Sequence, residues 1–249
     1  MKILAILAKL IDYPTDTLYE HGAEIRELIT QEQLLSAVDK DALLSFIKQR
    51  FSDSLLDWQS DYDGLFERGR SLSLLIYEHI HGESRDRGQA MVNLLKQYRA
   101  AGLDIGVREL PDYIPLFLEF ASTQGDDNAK AWLQDIAPIL ALLSVRLEQR
   151  QCNYSALFGA LVSLSEMEID IDNLREKVCK EKRDDTNKAL DKVWEEEAVT
   201  FGGDAINGGC PSETSKPSDS QRRDQDVPIQ FVDAMKEHAS DAQSHQTSN

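Results

Sequence analysis

Apolar residues return one helical turn apart along most of the chain, and strict alternation is absent, so their burial calls for helices rather than strands. Ile3, Leu4, Ile6, Leu7, Leu10 and Ile11 form the first such stripe. Lys9 interrupts it, Asp12-Tyr13-Pro14 follows at once, and no small-x-small site lies beyond, so the spacing predicts a first core helix rather than a signal peptide. A cytoplasmic protein is expected. Leu65, Leu72, Leu75 and Ile76 read as a further helical stripe, and Ala90, Met91, Leu94, Leu95 and Tyr98 as another.

Punctuation supports the same reading. Ser84 suits an N-cap before a helix over 85–99, and Gly102 its stop. Pro111 suits the first turn of a helix reaching about Ser122, and Pro138 the start of one through Ile139, Leu142, Leu143 and Leu147. Asp172 is placed to cap a helix carrying Leu174 and Val178. The expectation is an all-α domain over 1–201. After Phe201 the composition shifts to Gly, Ser, Asp, Gln and Pro, too poor in apolar residues to offset ordering entropy. Residues 202–249 are therefore expected to be a disordered tail, with one apolar island from Val227 to Val232.

Composition narrows the function. A chain of 249 residues with 41% hydrophobic residues can build a sizeable core, and no stretch approaches the roughly 20 uncharged apolar residues of a membrane span. A net charge of -17 repels nucleic acid and anionic membranes, leaving neutral or basic protein segments as natural partners. Cys152, Cys179 and Cys210 are far apart and odd in number, which argues against a disulfide framework or a thiolate zinc site.

Three polar constellations could carry chemistry. Glu67-Arg68-Gly69-Arg70 precedes a run from Glu78 to Gly88 that holds His79, His81, Glu83, Arg85, Asp86 and Arg87. A metal-dependent hydrolase using Glu78, His79, His81 and Glu83 is the alternative reading. On a helix, however, His79 and His81 lie about 200° apart. A helix–loop–helix corner held by ion pairs is the stronger reading. In the second constellation, Arg108 to Phe117, periodicity alone leaves two roles open. Asp112 could be a first-turn acid on a helix dipole, or acids beside apolar residues could dock a basic amphipathic helix. Tyr113, Leu116, Phe117, Leu75 and Tyr77 are candidates to line such a groove, and Glu109, Asp112 and Asp86 to steer the partner. The third, Arg183-Asp184-Asp185-Thr186 with Trp194-Glu195-Glu196-Glu197, reads by default as a solvated acidic face. No phosphate loop or nucleophile–base set is present in the sequence.

The same segments resemble a known family. Leu65 to Arg70, the stretch EHIHGESRDRGQAM at 78–91, RELPDYIPLFLEF at 108–120, DIAPILALLSVRLEQR at 135–150 and RDDTNKALDKVWEEE at 183–197 are similar to the NarJ-type chaperones. These are the delta subunits, or molybdenum cofactor assembly chaperones, of respiratory nitrate reductase. The resemblance covers about residues 1–201. It implies a single multi-helix bundle of the redox-enzyme maturation chaperone type, a monomer with no catalytic activity, no cofactor and no metal of its own. It also implies a protein that binds the apo alpha subunit, including its N-terminal leader-like segment, permits cofactor insertion, delays membrane assembly and is absent from the finished enzyme. Molybdenum cofactor delivery proteins are a further implied partner class. The implied peptide-binding residues are Glu109, Pro111, Asp112, Tyr113, Phe117, Arg68, Glu78, Arg85, Asp86 and Arg87. Glu109, Pro111 and Asp112 approximate the Glu-x-Pro-x-Asp motif of related chaperones, with Glu109 and Pro111 flanking Leu110 and Asp112 following directly.

Overall fold

A computed structural model describes residues 1–82, 84–106, 109–186, 189 and 191. The proposed boundary at 201, the tail from 202 to 249 and the Trp194-to-Glu197 run lie outside the described residues. Among the described residues there are helices and no strand, only one isolated antiparallel bridge between Leu75 and Tyr113. No helix among them is long and apolar enough to cross a membrane.

The described residues form eleven α-helices: α1 (Ile3–Ile11), α2 (Asp16–Glu20), α3 (Gly22–Gln31), α4 (Ala37–Arg50), α5 (Leu55–Tyr62), α6 (Ile76–His81), α7 (Asp86–Ala100), α8 (Ile114–Ser122), α9 (Asp126–Gln149), α10 (Ser155–Ser165) and α11 (Ile171–Val178). Side-chain oxygens begin four of them. Thr15, Ser36, Ser54 and Asp170 accept the Leu18, Asp39, Asp57 and Asn173 backbone N–H groups and satisfy donors that the first turn leaves orphaned. In α11 the cap is thus Asp170, and Asp172 sits in the first turn instead.

The core is built on α9 and α10, which pack along each other, with α4 and α1 against α10, and α8 covering both α1 and α9. As the periodicity of the first residues predicts, Ile3, Leu4, Leu7, Leu10 and Ile11 are fully buried. Pro138 does not start a helix. It lies inside α9, which begins twelve residues earlier at Asp126. A proline there removes one backbone donor, at a cost of about 3 kcal/mol. α9 buries Leu133, Ile136, Leu140, Leu143 and Leu147. Each such side chain contributes roughly 1.5–3 kcal/mol, so burial outweighs the break.

Three further expectations are corrected. The Leu65-to-Ile76 stripe is not one helix: a π-helical turn spans Asp63–Glu67, the chain then bends, and α6 starts at Ile76. Nor does α8 begin at Pro111. It begins at Ile114 with Pro115 in its first turn, because Tyr113 is held extended by its bridge to Leu75. Asp184 and Asp185 are also not a solvated face. Asp184 accepts hydrogen bonds from Ser71 and Arg150, and Asp185 pairs with Arg150 and Arg183.

At the centre of the aromatic core, the Trp58 indole N–H donates to the Tyr154 hydroxyl at 2.7 Å, with both residues fully buried. Phe46 and Phe66 pack edge-on against the Tyr154 ring. Tyr154→Phe keeps this packing and orphans the indole donor. It should lower unfolding free energy by about 1–3 kcal/mol in urea titrations; a loss within error of zero would show that the bond is not a structural tie.

Candidate functional site

Residues 109–113 meet residues 74–77 at a junction that holds three of the predicted site residues, Pro111, Asp112 and Tyr113. The extended backbones at Leu75 and Tyr113 exchange two bonds. The Ile76 N–H donates to the Asp112 carbonyl at 2.9 Å, and the Ile114 N–H to the Leu74 carbonyl at 2.8 Å. Asp112 is fully buried by this pairing. Its Oδ2 accepts the Tyr77 N–H at 3.1 Å, so the carboxylate caps α6 from across the fold. The Tyr98 hydroxyl donates to the Pro111 carbonyl at 2.8 Å, closing the other side. Burial pushes the Asp112 carboxyl above its ordinary range, and the Tyr77 N–H and the Arg87 guanidinium pull it part of the way back. Asp112 Oδ1 and Arg87 Nε are both buried without a hydrogen-bond partner.

The corner after α6 is the ion-paired helix–loop–helix that the sequence suggests. Arg87 Nη1 donates to Glu78 Oε1 at 3.0 Å, tying α7 to α6. His79 Nε2 lies 2.8 Å from the Ser73 carbonyl, and burial draws its ring toward the neutral form. His81 rests against the Tyr77 ring at 5.7 Å. The two histidines therefore serve different neighbours, and Glu83 lies outside the described residues. Among the described residues no three His, Cys, Asp or Glu side chains are grouped to hold a metal ion. Arg68, Arg85, Asp86 and Glu109 are exposed, whereas Arg108 lies outside the described residues. Phe117 belongs to the core, edge-on to Trp132 at 5.7 Å, and Tyr113, Leu116, Leu75 and Tyr77 are half-buried.

An apolar groove lies beside this junction, lined by residues of α1, α2 and α3. Its volume is about 570 Å³, with Ala5, Ile6, Leu18 and Ile25 as its apolar lining and Lys9, Asp12, Tyr13 and His21 among its polar and aromatic residues. None of the sequence-predicted site residues lines it. One of them reaches it, because the Tyr113 hydroxyl donates to Asp12 Oδ1 at 2.8 Å. The Tyr62 hydroxyl lies 3.4 Å from that of Tyr113, and Tyr13 packs edge-on against the Tyr62 ring at 5.4 Å. Lys9 pairs with Glu119. That bond, with the nearby Asp12 and Glu109 carboxylates, raises the Lys9 ammonium above its ordinary value. Three acids thus surround one cation at the groove's edge. A signal for the groove existed in the sequence: α1 is apolar nearly all round, more than a helix with one buried face requires.

Comparison with known proteins agrees with the resemblance drawn from the sequence. A family model described as nitrate reductase delta subunit matches residues 31–160. The nitrate reductase molybdenum cofactor assembly chaperone NarJ of Escherichia coli (strain K12) is 49% identical over 207 residues, 83% of this chain and 86% of its own length. NarW of the same strain, named as a probable chaperone of the same kind, is 44% identical over 236 residues, 94% of this chain and 97% of its own. A crystal structure from Archaeoglobus fulgidus, described as a proposed redox enzyme maturation protein, gives a TM-score of 0.48 at 17% identity, over 67% of this chain and 93% of that one.

The raised Asp112 pKa has a signed consequence. The unfolded carboxyl ionises first, so wild-type stability falls as pH rises from the ordinary carboxylate value toward the raised folded value, and is flat above it. Asp112→Asn keeps an acceptor for Tyr77 and has no such loss. Its stability relative to wild type should therefore increase between pH 3 and pH 7, while Asp112→Ala, which also lacks the cap, should lie about 0.5–2 kcal/mol below Asp112→Asn throughout. Urea unfolding at several pH values measures both, and an Asn-to-wild-type difference that does not change with pH would contradict the buried-carboxylate account.

Proposed function

The chain belongs to the nitrate reductase delta subunit family, in which its relatives NarJ and NarW are named as assembly chaperones, and from that membership we propose what it holds and where. The partner is the apo alpha subunit of a respiratory nitrate reductase, and the part held in the groove is its N-terminal segment. The chaperone keeps the subunit open for molybdenum cofactor insertion and delays its docking at the membrane until insertion is complete.

The observation that carries this reading is an apolar groove edged by acids on a chain of net charge -17. A basic amphipathic segment supplies the complementary surface. Its apolar face would cover Ile6, Leu18 and Ile25, gaining roughly 25 cal/mol for each Å² removed from water. Ordering a short segment offsets much of that gain, which keeps binding reversible, as a chaperone requires. Glu109 and Glu119 are the exposed or half-exposed acids placed to steer it. Asp112 acts differently, as a positioning residue. It caps α6 and fixes Tyr113 and, through it, Asp12 at the groove. Glu78, Arg85, Asp86 and Arg87 lie at the corner and Arg68 follows the π-helical turn, so any contact they make with the subunit lies outside the groove. The metal-dependent hydrolase reading is not favoured, since His79 and His81 serve separate structural contacts.

Titration calorimetry with a synthetic peptide of the alpha-subunit N-terminal segment tests this. Ile6→Ser with Ile25→Ser should weaken binding by about tenfold or more, equivalent to about 1.4 kcal/mol. Glu109→Gln with Glu119→Gln should slow association and flatten its salt dependence, because steering by exposed charges is screened beyond about 8 Å at physiological salt. Unchanged affinity in folded variants of both kinds would move the binding surface to the corner.

A further inference from the structure

The segment after α11 crosses back over the end of α9 and inserts one carboxylate into a set of donors. Asp184 Oδ2 accepts the Ser71 backbone N–H at 2.7 Å. Asp184 Oδ1 accepts the Ser71 hydroxyl at 2.6 Å and Arg150 Nη2 at 2.9 Å. The same Arg150 Nη2 also donates to Ser71 Oγ at 2.6 Å. Beneath the carboxylate lies Gly69, whose φ is +87° and whose absent Cβ would stand 2.7 Å from Asp184 Oδ2. Only glycine permits both that backbone conformation and so close an approach. Arg146 braces the loop from the side, donating to the Ser71 carbonyl at 2.8 Å and, through its other nitrogens, to both oxygens of Glu181.

Three donors reach the carboxylate, and one buried donor beside it does not. The Arg150 side chain is only 7% exposed. Its Nη1 makes no hydrogen bond and has only an ion pair to Asp185 at 3.3 Å. The two oxygens of Asp184 point at Ser71 and Nη2, and Nη1 donates to neither. A tetrahedral phosphate brings further oxygens, one of which Nη1 could serve, and a guanidinium binds phosphate and carboxylate with the same fork geometry. Burial works against ionisation of Asp184, yet the two Ser71 donors and Arg150 hold its carboxyl below the ordinary range, as expected of an anion site already filled. With the carboxylate in place, the space that Ser71 and Arg150 line together is only about 10 Å³, so a phosphate enters only when the segment over 181–186 moves away.

We propose that Ser71 and Arg150, over the Gly69 turn, form a phosphate-binding cradle whose resting occupant is the Asp184 carboxylate. A phosphate group takes the carboxylate's place when the segment over 181–186 lifts. The internal carboxylate acts as a tethered competitor, so the intact protein binds phosphate weakly, and whatever lifts the segment raises the affinity. The inference is independent of the groove and of the peptide it is proposed to hold.

Titration calorimetry on the full chain with inorganic phosphate, at ionic strength matched with chloride, tests the proposal. Asp184→Asn should bind phosphate at least about tenfold more tightly than wild type, and adding Ser71→Ala should abolish the gain. A parallel titration with glycerol phosphate assigns the cradle to the free ion or to a phosphate ester, whichever binds more tightly. No gain in folded Asp184→Asn, or a gain that survives Ser71→Ala, overturns the proposal. Should the variants lose their helical circular dichroism, wild type decides. Phosphate should speed tryptic cleavage after Lys182 and Arg183, and cleavage unaffected by phosphate overturns it.

Discussion

The two-bond exchange between residues 74–76 and 112–114 is the constraint on which the rest of the site depends. It joins two segments almost forty residues apart in sequence and forces both backbones out of helix at one point. That sets where α6 and α8 can begin. It buries the Asp112 carboxylate against the first turn of α6 and aims the Tyr113 hydroxyl at Asp12. A buried carboxylate with one bonded oxygen is costly by itself. Here it satisfies a helix donor that would otherwise be orphaned, and the Arg87 charge lies close enough to offset part of the desolvation. The most acidic-looking feature of the 108–120 block is therefore an internal strut.

The groove and the Ser71 cradle are two uses of the same device, in which a loop is pinned by a side chain from a distant part of the chain. Tyr113 holds Asp12 at the edge of the groove, and Asp184 holds the 69–71 turn on the end of α9. In both, a short polar contact crosses a gap that apolar packing leaves open. Their energetics differ. The groove keeps its apolar lining partly uncovered, which favours a partner with a complementary face. The cradle is filled, and any external ligand must compete with a tethered group.

Much of the fold was legible in the sequence because helix formation follows local periodicity. The stripe from Ile3 to Ile11, the resemblance blocks, the Glu78–Arg87 corner and the polar cap signals all describe short-range chemistry. The errors share a cause: a long-range contact overrode a local signal. Pro111 was displaced from α8 by the bridge to Leu75, and Pro138 was absorbed by α9 because burial on that helix outweighs one lost bond. Asp184 and Asp185 looked like a solvated run because nothing in their neighbourhood in sequence announces Ser71 or Arg150. Phe117 looked available to a ligand and is core because Trp132 covers it. The groove was missed for the opposite reason. Its lining is ordinary aliphatic sequence, and only the surplus of apolar residues around α1 marks it.

The groove beside α1, and not the corner after α6, is the surface proposed to receive the partner's N-terminal segment. Site-specific photocrosslinking tests it most directly, with benzoylphenylalanine placed at Tyr13 in the groove or at Ile80 in the corner, both exposed. With the alpha-subunit N-terminal peptide bound, a peptide adduct is expected from position 13 and none from position 80. An adduct from position 80 with none from position 13 would contradict it.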